Sequence, residues 1–327
     1  MARMKVFVFD PVAAGATLPR PLPRALRRQG EMLRQALLND LGALSGIDVV
    51  MAASPDTSAS AASGVDGGSP FAAAIQAADA VWPLANESAG VLEQLSRVIL
   101  HDKRILLGSA PGAVEVAASK LKLARVLAEG GVAVAATYSP HAPLPQDGGP
   151  WVVKPDDGAG CLDTRLFSDR AAALAWIRAR AADGYVLQPF VSGKLGSLSL
   201  ICCDGLARLL ACNQERVAMR DNRFHYLGSV VNGLADGDGA LARLAQQVAA
   251  AIPSLWGYVG VDFVLTASGA MVLDVNPRLT AAYAGLHASI GCNPAGLVLD
   301  LLDNPAKAAS AAPGGMRRAV SVDVGSP

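Results

Sequence analysis

Apolar and polar positions follow two periods along this chain, and the periods sort most of it into strands and helices. Residues 4–10 (MKVFVFD) form a short β-branched and aromatic run, and residues 47–53 (IDVVMAA) repeat it. Both runs predict buried strands. Between them RQGEMLRQALLNDLGAL (28–44) spaces its leucines for a helix, so the chain opens as a βαβ unit. Further on, AADAVWPLA (77–85) predicts a strand, ESAGVLEQLSRVILHD (87–102) an amphipathic helix, and RILLGS (104–109) another strand. The Ser-, Gly- and Asp-rich stretch 54–70 predicts a mobile loop or a low-complexity insertion.

Beyond Pro111 the texture changes. SKLKLARVLAEGGVAV (119–134) has helical spacing closed by Gly130-Gly131 as a C-cap signal. A Pro/Gly loop (142–150) leads to a strand WVVKP (151–155), a glycine turn DDGAG (156–160), a helix 168–181 with Ser168 as N-cap, and a strand GYVLQPFV (184–191). Residues 196–219 are two alternating runs around Asp204-Gly205, a strong hairpin signal. A helix (239–255) precedes a second hairpin, GYVGVDFVLTASGAMVLDVNPRLT (257–280), and the tail beyond about Asn304 is expected to be peripheral. The whole reads as α/β, with antiparallel α+β units after a βαβ start.

Composition narrows the class. With 327 residues, 52% hydrophobic residues and zero formal net charge, the chain suits a compact protein of two or three small domains. It lacks the long-range field that would draw polyanions, so no nucleic acid is expected as main partner. Cys161, Cys202, Cys203, Cys212 and Cys292 form no CxxC pair, which points to a reducing cytoplasm. The first apolar run is too short for a signal peptide, and no window offers the roughly 20 apolar residues of a membrane span. Small ligands are the expected partners, and a homo-oligomer stays open.

Candidate chemistry concentrates at four places. In the second hairpin, Asp274, Asn276 and Arg278 share one face of a strand, and Asp262 stands on the partner strand. Such an all-oxygen set suits a hard divalent cation. The plainer alternative is a structural Asp274–Arg278 ion pair, with Asp262 ending its strand at the surface. Lys154 ends a strand before Gly158 and Gly160, whose backbone N–H groups can approach phosphate, although no Walker A spacing follows. Lys120 heads a helix, where the dipole does not favour a cation. VLQPFVSG (186–193) breaks at Pro189 and Gly193 and frees main-chain groups for a flat heterocycle. Weaker candidates are Glu87 for an ammonium, Asn213 and Arg216 for a second carboxylate, and His225 with Tyr226 for stacking. The four histidines make no Ser/His/Asp constellation.

In this order the motifs resemble the ATP-grasp superfamily over roughly residues 80–303. The resemblance implies an ATP-grasp fold: a Rossmann-like domain (1–110), two α+β subdomains (111–187 and 188–305) clamping ATP, and a peripheral tail (306–327). By the same resemblance Lys120 and Lys154 contact ATP phosphates, and Asp157, Gly158, Ala159, Gly160 and Cys161 close over them. Gln188 and Val191 meet the adenine edge. Asp262, Asp274 and Asn276 hold Mg²⁺, with Mn²⁺ as an alternative, and Arg278 faces the transferred phosphoryl group. The chain departs from the family in using aspartate for both metal acids and in lacking the hinge acid that commonly holds the ribose. Ser197 or a main-chain group is the candidate substitute. RQGEMLRQALLNDLGALSGIDV, ADAVWPLANESAGVLEQL, GSVVNG and NPRLTAAYAGL resemble the branch containing the tyramine-glutamate ligase of methanofuran biosynthesis, which implies glutamate and tyramine as substrates.

Overall fold

The computed structural model describes residues 3–14, 22–51, 70–146, 148–180, 184–305 and 317–325. Apart from Pro70, the expected loop 54–70 lies outside them. Four parallel strands open the chain, β1 (Met4–Phe9), β2 (Ile47–Met51), β3 (Ala80–Pro83) and β4 (Ile105–Leu106), in the order β2-β1-β3-β4. Alternation along β1 decides how this sheet is covered. Val6 and Val8 pack with Leu37 and Leu41 of α1 (Arg24–Gly42), while Phe7 and Phe9 pack on the other face with Ile75 of α2 (Pro70–Ala77) and Ile99 of α3 (Val91–His101). Helices on both faces bury an uninterrupted apolar strand, as parallel sheets require.

Two helices here differ from the sequence expectation. The helix expected from 28 begins earlier, at Arg24, with Arg24, Arg27 and Arg28 exposed along it. The helix expected from 87 begins at Val91, because Ala89 (φ 56°) and Gly90 (φ 71°) are left-handed and close a short 3₁₀ turn first.

Next come α4 (Pro111–Ala118) and α5 (Lys120–Glu129), separated by the extended Ser119. Ser119 Oγ accepts from Lys122 N at 3.1 Å, and Asp156 Oδ1 accepts from Leu121 N at 2.9 Å. Together they satisfy two of the donors left open at the head of α5. Grouped by sequence with segment 111–187, α5 instead buries Leu123 and Leu127 in the cluster of Leu198, Val261 and Phe263, within segment 188–305.

The remainder builds a nine-stranded antiparallel sheet. Its path is β12-β11-β8-β9-β10-β6-β5-β7, with β13 also paired to β10. The strands are β5 (Trp151–Pro155), β6 (Arg165–Phe167), β7 (Tyr185–Pro189), β8 (Lys194–Cys203), β9 (Leu206–Arg220), β10 (Arg223–Val231), β11 (Gly257–Thr266), β12 (Gly269–Asn276) and β13 (Val320–Asp323). Helix α6 (Arg170–Ala179) covers β5 and β6, α7 (Ala240–Ala251) covers β9, and α8 (Tyr283–Ile290) and α9 (Pro294–Asp303) pack against α1. The small lobe of β6, β5 and β7 joins the large one at the register pair Arg223 with Arg165, flanked by the backbone bonds Leu166 N to Asn222 O at 2.9 Å and Phe224 N to Thr164 O at 3.1 Å.

The N-cap of α6 is Asp169 rather than Ser168: Asp169 Oδ1 accepts from Ala172 N at 2.8 Å, and Ser168 only donates to Asp169 Oδ2. The tail also departs from expectation. Residues 320–323 form an edge strand on β10, and Val322 enters the main core, because Val320 and Val322 face inward around the exposed Ser321. Among the described residues no helix is long and apolar enough to cross a membrane.

Candidate active site

Asp262 of β11 stands directly opposite Asp274 of β12, with a bulge just after Asp262. Asn276 Nδ2 donates to Asp262 Oδ2 at 3.1 Å, and Arg278 Nη2 donates to Asn276 Oδ1 at 3.0 Å. The two-residue period thus brings the four polar groups together, as the sequence implied. The Asp274–Arg278 ion pair does not form: Arg278 Nε donates to Glu87 Oε2 at 2.8 Å, while Lys120 Nζ lies 3.4 Å from Asp274 Oδ2. Nor does Asp262 end its strand at the surface. Burial, with Glu215 and Asp274 nearby, pushes its carboxyl up to about 7 against the opposing effects of Asn276 and Arg278.

The lysines stand across from this hairpin. Lys120 is buried and donates to Gly158 O at 2.6 Å and Asp156 O at 3.2 Å, tying the head of α5 to the glycine loop. Lys154, at the end of β5, makes no side-chain hydrogen bond among the described residues. Burial and the nearby Lys120 lower its pKa to about 8, opposed by Asp274, Cys161 and Asp262. In the loop Gly160 has φ 63°, and a Cβ there would meet Leu26 of α1 at 2.8 Å. Cys161 is also left-handed (φ 59°), and burial beside Asp262 pushes its thiol up to about 12. Asp157 turns away toward the first domain, where its carbonyl accepts from Ser88 Oγ at 2.7 Å and its Oδ2 from Ala89 N at 3.2 Å.

One cavity of about 510 Å³ joins these parts. Lys120, Lys154, Gly158, Ala159, Gly160, Gln188, Val191, Asp262, Asp274, Asn276 and Arg278 all line it. Gln188 is held by Thr137, Nε2 to Oγ1 at 2.7 Å, and Val191 lies past the end of β7, between the two lobes. The first domain closes the other side with Asp10, Val12, Leu26 and Leu33. Among the described residues no three His, Cys, Asp or Glu side chains form a self-contained metal cage. Two facing carboxylates and an amide oxygen are instead a partial donor set, fitted to Mg²⁺ that keeps positions for phosphate and water. The raised Asp262 carboxyl agrees with this fit, since a nearby cation would relieve the crowding of negative charge.

This arrangement has a counterpart among known domains. The family model described as ATP-grasp domain matches residues 117–282, and the pre ATP-grasp 3 domain model matches residues 50–114. The chain belongs to the ATP-grasp family. An ATP-grasp superfamily protein from Archaeoglobus fulgidus shares its fold with a TM-score of 0.70 at 21% identity, over 91% of this chain and 88% of that one. D-alanine–D-alanine ligase from Bacillus anthracis complexed with ATP gives 0.65 at 14% identity, covering 92% and 96%. L-amino acid ligase from Bacillus licheniformis gives 0.63 at 15%, covering 92% and 74%. No curated protein matches the chain in sequence. At these identities the ATP-grasp structures establish shared fold.

Three expected substrate contacts are corrected. Glu87 does not line the cavity; it is buried, with Oε2 taken by Arg278 and Oε1 without a hydrogen-bond partner among the described residues. Asn213 is fully buried and donates to Ser197 and Ser199 at 3.1 and 3.0 Å. Arg216 turns to the opposite face of β9, where it pairs with Asp323 and donates to Val322 O at 3.0 Å. The residues that β9 presents to the cavity are Glu215, two positions from Asn213, and Val217, and on β10 they are Phe224 and Tyr226 rather than His225. Strand parity alone, counted from Asn213, carries the signal for Glu215.

Proposed function

We infer that the protein is an ATP-dependent carboxylate-amine ligase. The observation that carries this reading is the shared cavity in which Lys120 and Lys154 face Asp262, Asp274 and Asn276, with Arg278 beside them and the first domain opposite. In this reading a substrate carboxylate takes the γ-phosphoryl group of ATP to give an acyl phosphate and ADP. An amine then displaces phosphate to form the amide. Lys120, Lys154 and the backbone of Gly158–Gly160 hold the phosphates, and Gln188 and the main chain at Val191 meet the adenine edge. Asp262, Asp274 and Asn276 are the residues to hold Mg²⁺ or Mn²⁺, which supplies charge neutralisation at the phosphates. Arg278, fixed by Glu87 and Asn276, offers its cation where the acyl phosphate and the leaving phosphate carry charge. No side-chain nucleophile is required.

Acid and amine bind against the first-domain wall. Its apolar side chains, Val12, Leu26 and Leu33, suit the ring of an aromatic amine such as tyramine, with glutamate as the acid. Two of the structurally similar proteins are named as ligases of amino acids, which supports the reaction class. The test is ADP release from purified protein with ATP, Mg²⁺, glutamate and tyramine, followed by a wider acid and amine panel. Amine-dependent ADP release with a product of amide mass supports the ligase. Nucleotide binding with no turnover across the panel would make the chain a nucleotide-binding regulatory module instead.

A further inference from the structure

Four described cations line the cavity: Arg27, Lys120, Lys154 and Arg278. Three of them belong to the site already described. Lys120 donates to Gly158 O and Asp156 O and lies against Asp274. Arg278 is divided between Glu87 Oε2, Asn276 Oδ1 and Leu279 O. Lys154 is buried near Asp274 and Asp262, where the phosphates are assigned. Arg27 is different: it is exposed, and its side chain makes no hydrogen bond or ion pair among the described residues. The acid that could pair with it along α1 is Glu31, one turn on. Glu31 instead accepts from Arg34 at both oxygens, Oε1 from Nη2 at 2.6 Å and Oε2 from Nε at 3.3 Å.

The packing of α1 says what this cation faces. Leu26, Gly30 and Leu33 follow the helical period and line the cavity, and Arg27 and Glu31 form the next stripe along it. Leu26 comes so close to the glycine loop that a Cβ on Gly160 would meet its Cδ2 at 2.8 Å. Helix α1 therefore abuts the segment assigned to the phosphates. On the ligase reading above, on which this inference rests, the molecule held there is the acid that receives the phosphoryl group. Elsewhere on the first-domain wall Val12 and Leu22 are apolar and Asp10 is acidic, so a further anion on that acid finds its counter-charge at Arg27. Arg216, the sequence candidate for such a task, lies on the opposite face of β9. A guanidinium matches a carboxylate with two parallel hydrogen bonds. We propose that the acid substrate is a dicarboxylate, with one carboxylate phosphorylated and the other read by Arg27, which selects it over monocarboxylic acids.

The experiment measures kcat and KM for ADP release from the full chain at saturating ATP, Mg²⁺ and amine, for wild type, Arg27→Gln and Arg24→Gln. The acids are glutamate and aspartate, the two half-amides of each, and alanine. Arg24 is exposed on the same turn and does not line the cavity, so its variant reports the loss of a charge alone. The wild type is expected to use a dicarboxylate, and to lose about tenfold in kcat/KM, through KM, when the carboxylate that is not phosphorylated is amidated. Arg27→Gln is expected to raise KM for the dicarboxylate by about tenfold, with kcat and ATP affinity within about threefold of wild type, and to use the dicarboxylate and that half-amide alike. Arg24→Gln is expected to behave as wild type. A wild type that uses alanine or a half-amide as well as the dicarboxylate overturns the proposal. So does a preference that survives Arg27→Gln or is lost equally in Arg24→Gln, and so does an ATP affinity that falls with that of the acid, which would make Arg27 a phosphate contact. ATP binding with no ADP release for any acid would instead remove the ligase reading, and this proposal with it.

Discussion

Glu87 and Arg278, 191 positions apart, form a buried ion pair in which Nε donates to Oε2 at 2.8 Å. The pair joins the first domain to the β11–β12 hairpin. Removing one partner of a buried pair leaves the other charge uncompensated, so Glu87→Gln should free the guanidinium to swing toward the carboxylates of the hairpin. Turnover is expected to fall about tenfold to a hundredfold while ATP affinity changes less than about threefold. Loss of ATP binding in step with turnover would show that Glu87 acts through stability alone.

Lys154 gives a pH prediction. Its pKa is lowered from 10.5 to about 8, so the charged form is disfavoured in the fold. That destabilisation is absent above pH 10.5 and fully present below about 8, and Lys154→Met is therefore expected to raise the melting temperature at pH 7. Nucleotide phosphates favour the charged form, so ATP binding should take up a proton and weaken as pH rises through about 8. Calorimetry at pH values just above this in buffers of differing ionisation enthalpy reads the uptake directly. No buffer dependence, or the same dependence in Lys154→Met, would remove Lys154 from the phosphate site.

Among the described residues Asp274 accepts no hydrogen bond from outside its own strand, and it lies 3.4 Å from Lys120. Asp274→Asn is expected to raise the Mg²⁺ concentration for half-maximal turnover by about tenfold or more. Turnover with an unchanged metal requirement would refute its role as a ligand.

Asp40 of α1 tests the packing of the first domain on the rest. Its carboxylate accepts from Tyr283 Oη at 2.8 Å and lies 2.6 Å from His287 Nδ1, and its carbonyl accepts from Asn293 at 2.7 Å. Asp40→Ala should cost about 3 kcal/mol in urea unfolding, because it leaves a buried phenol unpaired and opens a cavity. A cost below about 0.5 kcal/mol would mean that the α1–α8 contact is held by apolar packing alone.

Parity and spacing made much of this legible. The hairpin's i, i+2, i+4 pattern placed Asp274, Asn276 and Arg278 correctly, and the same counting would have found Glu215 in place of Arg216. Strand β10 was missed because RDNRFHYLG carries charge and amide around a tight turn with Asp221 and Asn222 left-handed, which reads as loop. Strand β13 is four residues behind an Ala/Gly tail, too short to declare a period. The partner of Arg278 was out of reach for another reason: no local rule connects Glu87 to a guanidinium on a different domain.

The contact of Ser88 and Ala89 with Asp157 bears on engineering as well as on catalysis. The loop that flanks Lys154 and Lys120 is fastened to the same short turn that positions Glu87. A chimera that exchanged residues 1–110 to obtain a new acceptor would replace the fastening of the glycine loop at the same time. On the ligase reading proposed above, acceptor choice and grip on the nucleotide would travel together, and a transplant that keeps residues 87–90 from the parent should retain the second while changing the first.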